Sequence, residues 1–282
     1  MHAVNISTAS LTVLCVFLLA LFGSLAPVIY VTPACHARIL RVGNAFAAGF
    51  LLSAALVHLL PSAIVALSKQ LSTTYPLGGL LCLLGACSVY VLDVVARRIE
   101  TCHKLIPVHA HNGHTHLHSP AVALVLAVSL SFHSLVEGVS LGVSLLDTTS
   151  FTALSIAILA HKLFAAVALG SALTVTADGD PVLQKRSVYM CVLFAAVTPV
   201  GAMGGVALLD VLSTSVYSVL LPAVNVLSSG VFLYVALVEL LADQFRYVSL
   251  QDYSNLDPDD SLLCTAVFVA AAGVMSLLAL WT

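Results

Sequence analysis

The chain has 282 residues, 60% of them hydrophobic and only 8% charged, with a mean hydropathy of +1.09. Soluble domains carry about a quarter charged residues, so an ordinary soluble enzyme or binding module is excluded, and a formal net charge of −3 offers nucleic acid no basic surface. What remains is an all-α polytopic membrane protein.

A helix needs roughly 20 apolar residues to cross a bilayer. Eight stretches qualify, at 9–32, 43–67, 76–96, 120–146, 151–176, 187–211, 215–242 and 261–281. They leave no sizeable soluble domain, so residues 1–282 read as one transmembrane domain with two longer loops, 97–119 and 243–260. The first stretch lacks a basic n-region and a clear cleavage signal, and is read as a retained span.

Along the chain, span two carries Asn44 near its start and His58-Leu59-Leu60-Pro61 towards its far end. Pro61 lacks an N–H, which frees a carbonyl and bends the helix near His58. After span three, the 97–119 loop holds His103, His109, His111, His114, His116 and His118, a tract suited to loose, reversible capture of divalent metal.

Span four contains His133-Ser134-Leu135-Val136-Glu137-Gly138, and span five contains His161-Lys162 at a similar depth. Ionisable groups within hydrocarbon are costly and mark a pathway or a site. Residues four apart share a helix face, so the His133 imidazole and the Glu137 carboxylate address one volume. Nitrogen with carboxylate oxygen is a transition-metal ligand set, zinc or ferrous iron leading. Span seven ends in Glu239 and Asp243, also four apart, at a helix end that reads equally as an exit station for a cation and as a solvated terminus. The 243–260 loop is acidic, with Asp252, Asp257, Asp259 and Asp260, and reads as solvated.

Eight of the ten basic residues fall on one side if the N-terminus is outside: Arg38, Arg41, Arg97, Arg98, Lys104, Lys185, Arg186 and Arg246. By the positive-inside rule that side is the cytosol. The His-rich and acidic loops are then cytosolic and both termini lie outside. The seven cysteines form no CxxC pair, and Cys35 and Cys102 fall on the reducing side, where disulfides are disfavoured.

These features together resemble the ZIP family of divalent metal (zinc and iron) transporters, in the form with HSxxEG in span four. The likeness rests on Phe132 to Gly138 in span four, His161-Lys162 in span five, and Asn44-Ala45-Phe46 with His58 to Pro61 in span two. Thr198-Pro199-Val200-Gly201 in span six and Ser229 to Tyr234 with Glu239 in span seven add to it. The resemblance implies import of zinc, iron or manganese into the cytosol across the plasma membrane or an organelle membrane. It also implies inverted repeats of spans one to three and six to eight around four and five, homodimers in the bilayer, and elevator-like sliding of spans one, four, five and six.

By resemblance, the span-two ligand corresponds to His58, giving a site of His58, His133, Glu137 and His161, with Asn44, Ser134, Lys162, Glu239 and Asp243 around it or along the pathway. Many family members carry a second glutamate in span five, where this chain has Ala165, and a second-metal ligand where it has Lys162. An ammonium repels a divalent ion, so one metal is expected rather than two. No organic cofactor is implied. A metal sensor of the same fold and an intramembrane zinc hydrolase are the competing classes; the second lacks an HExxH helix.

Overall fold

Inside hydrocarbon the backbone has only itself to bond, so long apolar runs fold as helices. The computed structural model describes residues 4–30, 36–71, 73–104, 120–177, 181–211, 213–242 and 258–279. Among these no strand occurs. Helix α1 (Ile6–Tyr30) is span one; α2 (His36–Ser53), a π turn (Ala54–Leu59) and α3 (Leu60–Gln70) together make span two. Spans three to six are α4 (Leu77–Lys104), α5 (Pro120–Val143), α6 (Thr148–Ala177) and α7 (Pro181–Val211). Span seven is α8 (Thr214–Tyr234) with a second π turn (Val235–Leu241), and span eight is α9 (Pro258–Leu278). Eight helical segments among the described residues are long and apolar enough to cross a membrane.

The boundaries follow the hydropathy, except that helices outlast their apolar stretches. Helix α4 runs to Lys104, past the expected end at 96, so Arg97, Arg98 and His103 lie on helix rather than in a loop. Charged residues end a membrane stretch without ending a helix, because arginine and lysine are good helix formers.

The bend expected at Pro61 takes the form of a π turn. Without a proline N–H the Val57 carbonyl loses its partner four residues on. The Leu60 N–H instead reaches back to the Ala55 carbonyl, and the Ser62 hydroxyl donates to the His58 carbonyl at 2.7 Å. Such turns re-aim side chains and recur at functional sites.

The spans sort into two bundles. Helices α1, α5, α6 and α7 pack on one another, and α2/α3, α4, α8 and α9 form the other set. With no hydrophobic drive between helices in lipid, small residues bring backbones together. Gly138 and Gly142 of α5 lie against Gly201 and Gly205 of α7, where any Cβ would meet a facing backbone carbonyl. The two bundles meet mainly along α2 and α6. There Phe46 and Phe50 face Phe164, with ring centroids 5.6 and 5.7 Å from it.

At one end of the molecule the Val4 N–H donates to the Leu145 carbonyl at 3.1 Å, tying the N-terminal segment to the α5–α6 turn. Basic residues gather at the other end. Arg38 and Arg41 pair with Asp260 at 2.9 and 2.8 Å, and Arg97 pairs with Asp93 at 2.7 Å and Glu239 at 3.1 Å. Asp93 and Glu239 are buried, and the Tyr234 hydroxyl donates to Asp93 at 3.4 Å.

Replacing Arg97 with leucine takes the cation from two buried carboxylates. Breaking a fully buried pair costs about 3–5 kcal/mol, and roughly half that is expected here because Arg97 is partly solvated. Thermal melting in detergent should show the loss, and adding Asp93→Asn with Glu239→Gln should restore it. A parent-like melting temperature for Arg97→Leu would contradict this account.

Candidate metal site

The His133–Glu137 spacing works as the helix period requires. His133 Nε2 lies 2.9 Å from Glu137 Oε1, and His161 Nε2 on α6 contacts the same oxygen. The candidate ligand atoms of His133, Glu137 and His161 all lie within 4.8 Å of one another. Small side-chain rotations bring such a set to metal–ligand distances of about 2 Å. All three side chains are buried. His133 Nδ1 is buried with no hydrogen-bond partner, an uncommon condition in a folded interior and one that calls for an explanation beyond packing.

His58 approaches from the other bundle. Its ring centroid is 5.8 Å from that of His161, and the side chain is half-buried in the wall of a cavity of about 260 Å³. His58, His133, Glu137 and His161 line this cavity together with Ser62, Ser140, Ser150 and Asn225. At about 30 Å³ per water, it has room for an ion with its first hydration shell. Ser62 and Ser150 are exposed, so the cavity reaches solvent near the α5–α6 turn. On the other side of His161 stands Phe50, its ring centroid 6.5 Å away, backed by Phe46 and Phe164. The cavity is thus lined by polar groups, and these aromatic rings, which do not line it, pack beside His161.

Lys162 belongs to the cluster. Its ammonium donates to Glu137 Oε2 at 2.9 Å and to Ser134 Oγ at 2.7 Å. At 1% exposure it is among the most deeply buried large side chains. The sequence had suggested a cation facing a metal; the geometry adds that the cation is already paired with the cluster's carboxylate.

Other residues named from the sequence lie elsewhere. Asn44 is buried on α2 and does not line the cavity. Glu239, on the second π turn, is buried rather than a solvated helix end, pairs with Arg97 and does not line this cavity. His103 lies on the last turn of α4. Asp243 and His109, His111, His114, His116 and His118 fall outside the described residues. The sequence reading missed Ser62, Ser140 and Asn225 in the cavity wall, and Asp93 beside Arg97. Helical spacing was a usable signal for two of them, since Ser62 follows His58 by four residues and Ser140 follows Glu137 by three.

Comparison with known proteins identifies the family. The sequence model of the family described as ZIP Zinc transporter matches residues 5–121 and 100–279. The chain is 30% identical to Zinc transporter 3 of Oryza sativa subsp. japonica, over 84% of this chain and 78% of that protein. It is 28% identical to Fe(2+) transport protein 2 of Arabidopsis thaliana, over 84% of this chain and 75% of that protein. With Zinc transporter 6, chloroplastic, also of Arabidopsis thaliana, it shares 26% identity over 95% of this chain and 91% of that protein. Because the family match runs from residue 5 to residue 279, through both bundles and all eight spans, the chain belongs to the ZIP zinc transporter family.

Proposed function

We propose that this membrane metal transporter imports a divalent transition metal, zinc first and ferrous iron second, into the cytosol through one intramembrane site of His58, His133, Glu137 and His161. The observation that carries the reading is the convergence of two imidazoles and one carboxylate from α5 and α6, facing a third imidazole across the bundle boundary. Three neutral nitrogens and one carboxylate oxygen suit tetrahedral zinc. Relatives named for zinc and for iron support both ions as substrates.

The end bearing Arg38, Arg41 and Arg97 is the cytosolic one by the positive-inside rule, so the cavity opens outside or to an organelle lumen. An incoming hydrated ion passes Ser62, Ser150 and Asn225 and sheds water at the imidazoles. A metal takes only a deprotonated imidazole, so protons compete with it and uptake weakens in acid. Sliding of spans one, four, five and six then carries His133, Glu137 and His161 away from His58, and a site between two moving bodies is the general arrangement for alternating access. The inverted repeat and the homodimer remain part of this proposal. So do delivery to the histidine tract and a pathway contribution from Asn44, Glu239 and Asp243.

Purified protein in vesicles, offered zinc, ferrous and manganous ions in turn, tests the reading. Glu137-dependent flux of zinc is expected; absence of flux for every ion would leave a metal sensor as the better description. His58 lies on the opposite bundle and is half-buried, so His58→Ala should raise KM about tenfold, roughly 1.4 kcal/mol of binding, with kcat changed less. Unaltered KM for His58→Ala would remove it from the ligand set.

A further inference from the structure

We propose that Lys162 and Ser134 set the metal selectivity of this site by holding the second oxygen of Glu137, so that the carboxylate meets an ion through Oε1 alone. The inference rests on the metal-site reading above and names what that site rejects.

The two oxygens of Glu137 have divided roles. Oε1 faces His133 Nε2 at 2.9 Å and His161 Nε2, the direction in which an ion would lie. Oε2 accepts from the Lys162 ammonium at 2.9 Å. That ammonium also donates to Ser134 Oγ at 2.7 Å and sits 5.3 Å from the centroid of the Phe194 ring. Two of its three donors are thus engaged, and α5, α6 and α7 all contribute to its cage. A buried charge is tolerated only while paired. If Glu137 turned both oxygens to an ion, it would strand this cation among Phe194 and its apolar neighbours.

The consequence concerns coordination number. A carboxylate restricted to one oxygen, with His58, His133 and His161, offers four ligands, the number zinc takes in closed sites. Manganous ion prefers an octahedral, oxygen-rich shell and loses the bidentate contact that would help supply it. The positive charge itself repels every divalent ion alike and does not discriminate. The tether on Oε2 does. Lys162 is therefore a positioning residue that acts through Glu137.

The test uses Lys162→Met, which keeps the length and bulk and removes the charge and the donors, and Ser134→Ala, which only loosens the ammonium. In reconstituted full-length protein, kcat/KM for manganous ion relative to zinc should rise about tenfold in Lys162→Met, the scale on which outer partners of ligands act, and by less in Ser134→Ala. Taking the ratio cancels the general gain from lost repulsion. An unchanged ratio in Lys162→Met overturns the proposal.

Cobalt(II) gives a readout independent of transport. Its visible absorption, taken as the difference from Glu137→Ala so that ions on the histidine tract drop out, should be the intense pattern of four-coordination in the parent and weaken in Lys162→Met. If that variant binds but no longer transports, an unaltered intense spectrum overturns the proposal and a weakened one supports it. If it does not accumulate as folded protein, Ser134→Ala decides, and an unchanged manganese-to-zinc ratio there is again fatal. A parent protein with no Glu137-dependent cobalt signal overturns the site reading itself, before any variant is compared, and this inference with it.

Discussion

Replacing Glu137 with alanine is expected to abolish metal uptake while the protein still reaches the membrane. The carboxylate is the one anion of the cluster and also the partner of Lys162. Without it an arriving divalent ion meets an uncompensated ammonium. The variant forfeits the attraction of a −1 for a +2 charge, which even at about 5 Å and an effective dielectric of 20 is roughly 6–7 kcal/mol, a loss of more than four orders of magnitude in affinity. Glu137→Gln keeps the shape and should fail almost as completely, which separates loss of charge from loss of packing. Pairing Glu137→Ala with Lys162→Met should recover protein stability without recovering transport. Zinc uptake in vesicles, normalised to the amount of folded protein, is the measurement, and uptake within about twofold of the parent would remove Glu137 from the site.

The second large effect comes from two adjacent glycines of α7. A Cβ at Gly205 would run into the Val139 carbonyl of α5, whereas nothing lies within 4 Å of a Cβ at Gly204. Helix backbones cannot yield to a valine there without opening the α5–α7 contact, and overpacking of a close interface costs about 1–3 kcal/mol or more. That contact fixes the helix bearing His133 and Glu137, so Gly205→Val should lower both the melting temperature and zinc uptake sharply. Gly204→Val, one residue away and facing outward, should leave melting unchanged. Equal behaviour of the two variants in a thermal melt would show that the close approach is not what holds these helices together.

Much of this architecture was legible from local pattern. Hydropathy located all eight spans, because the bilayer sets a length that apolar runs must meet, and an i,i+4 spacing put His133 and Glu137 on one face. Non-local pairing was not legible in that way. Arg97 meets Glu239 across 142 residues of chain, and hydropathy reads Arg97 as the start of a loop. The position of Lys162 beside the cluster followed from its neighbour His161, but its grip on Oε2 rather than Oε1 depends on rotamers that no spacing rule encodes. The division into two bundles came from family resemblance alone; in the structure it follows from which helices pack on one another.

Placing three of the candidate ligands on one bundle and His58 on the other makes a bound ion a cross-link. In the sliding cycle proposed above, an ion touching all four favours the apposed arrangement over a slid one by the ratio of its affinities for the two, about 1.4 kcal/mol if His58 contributes tenfold. Grip and speed then oppose each other, and the ion that bridges most firmly is the slowest to be delivered. Turnover in that proposed cycle is fastest for an ion held firmly by the three groups that would travel and lightly by the fourth. Half-buried at the edge of the cavity, in a turn whose backbone departs from the α-helix, His58 is the contact best suited to let go.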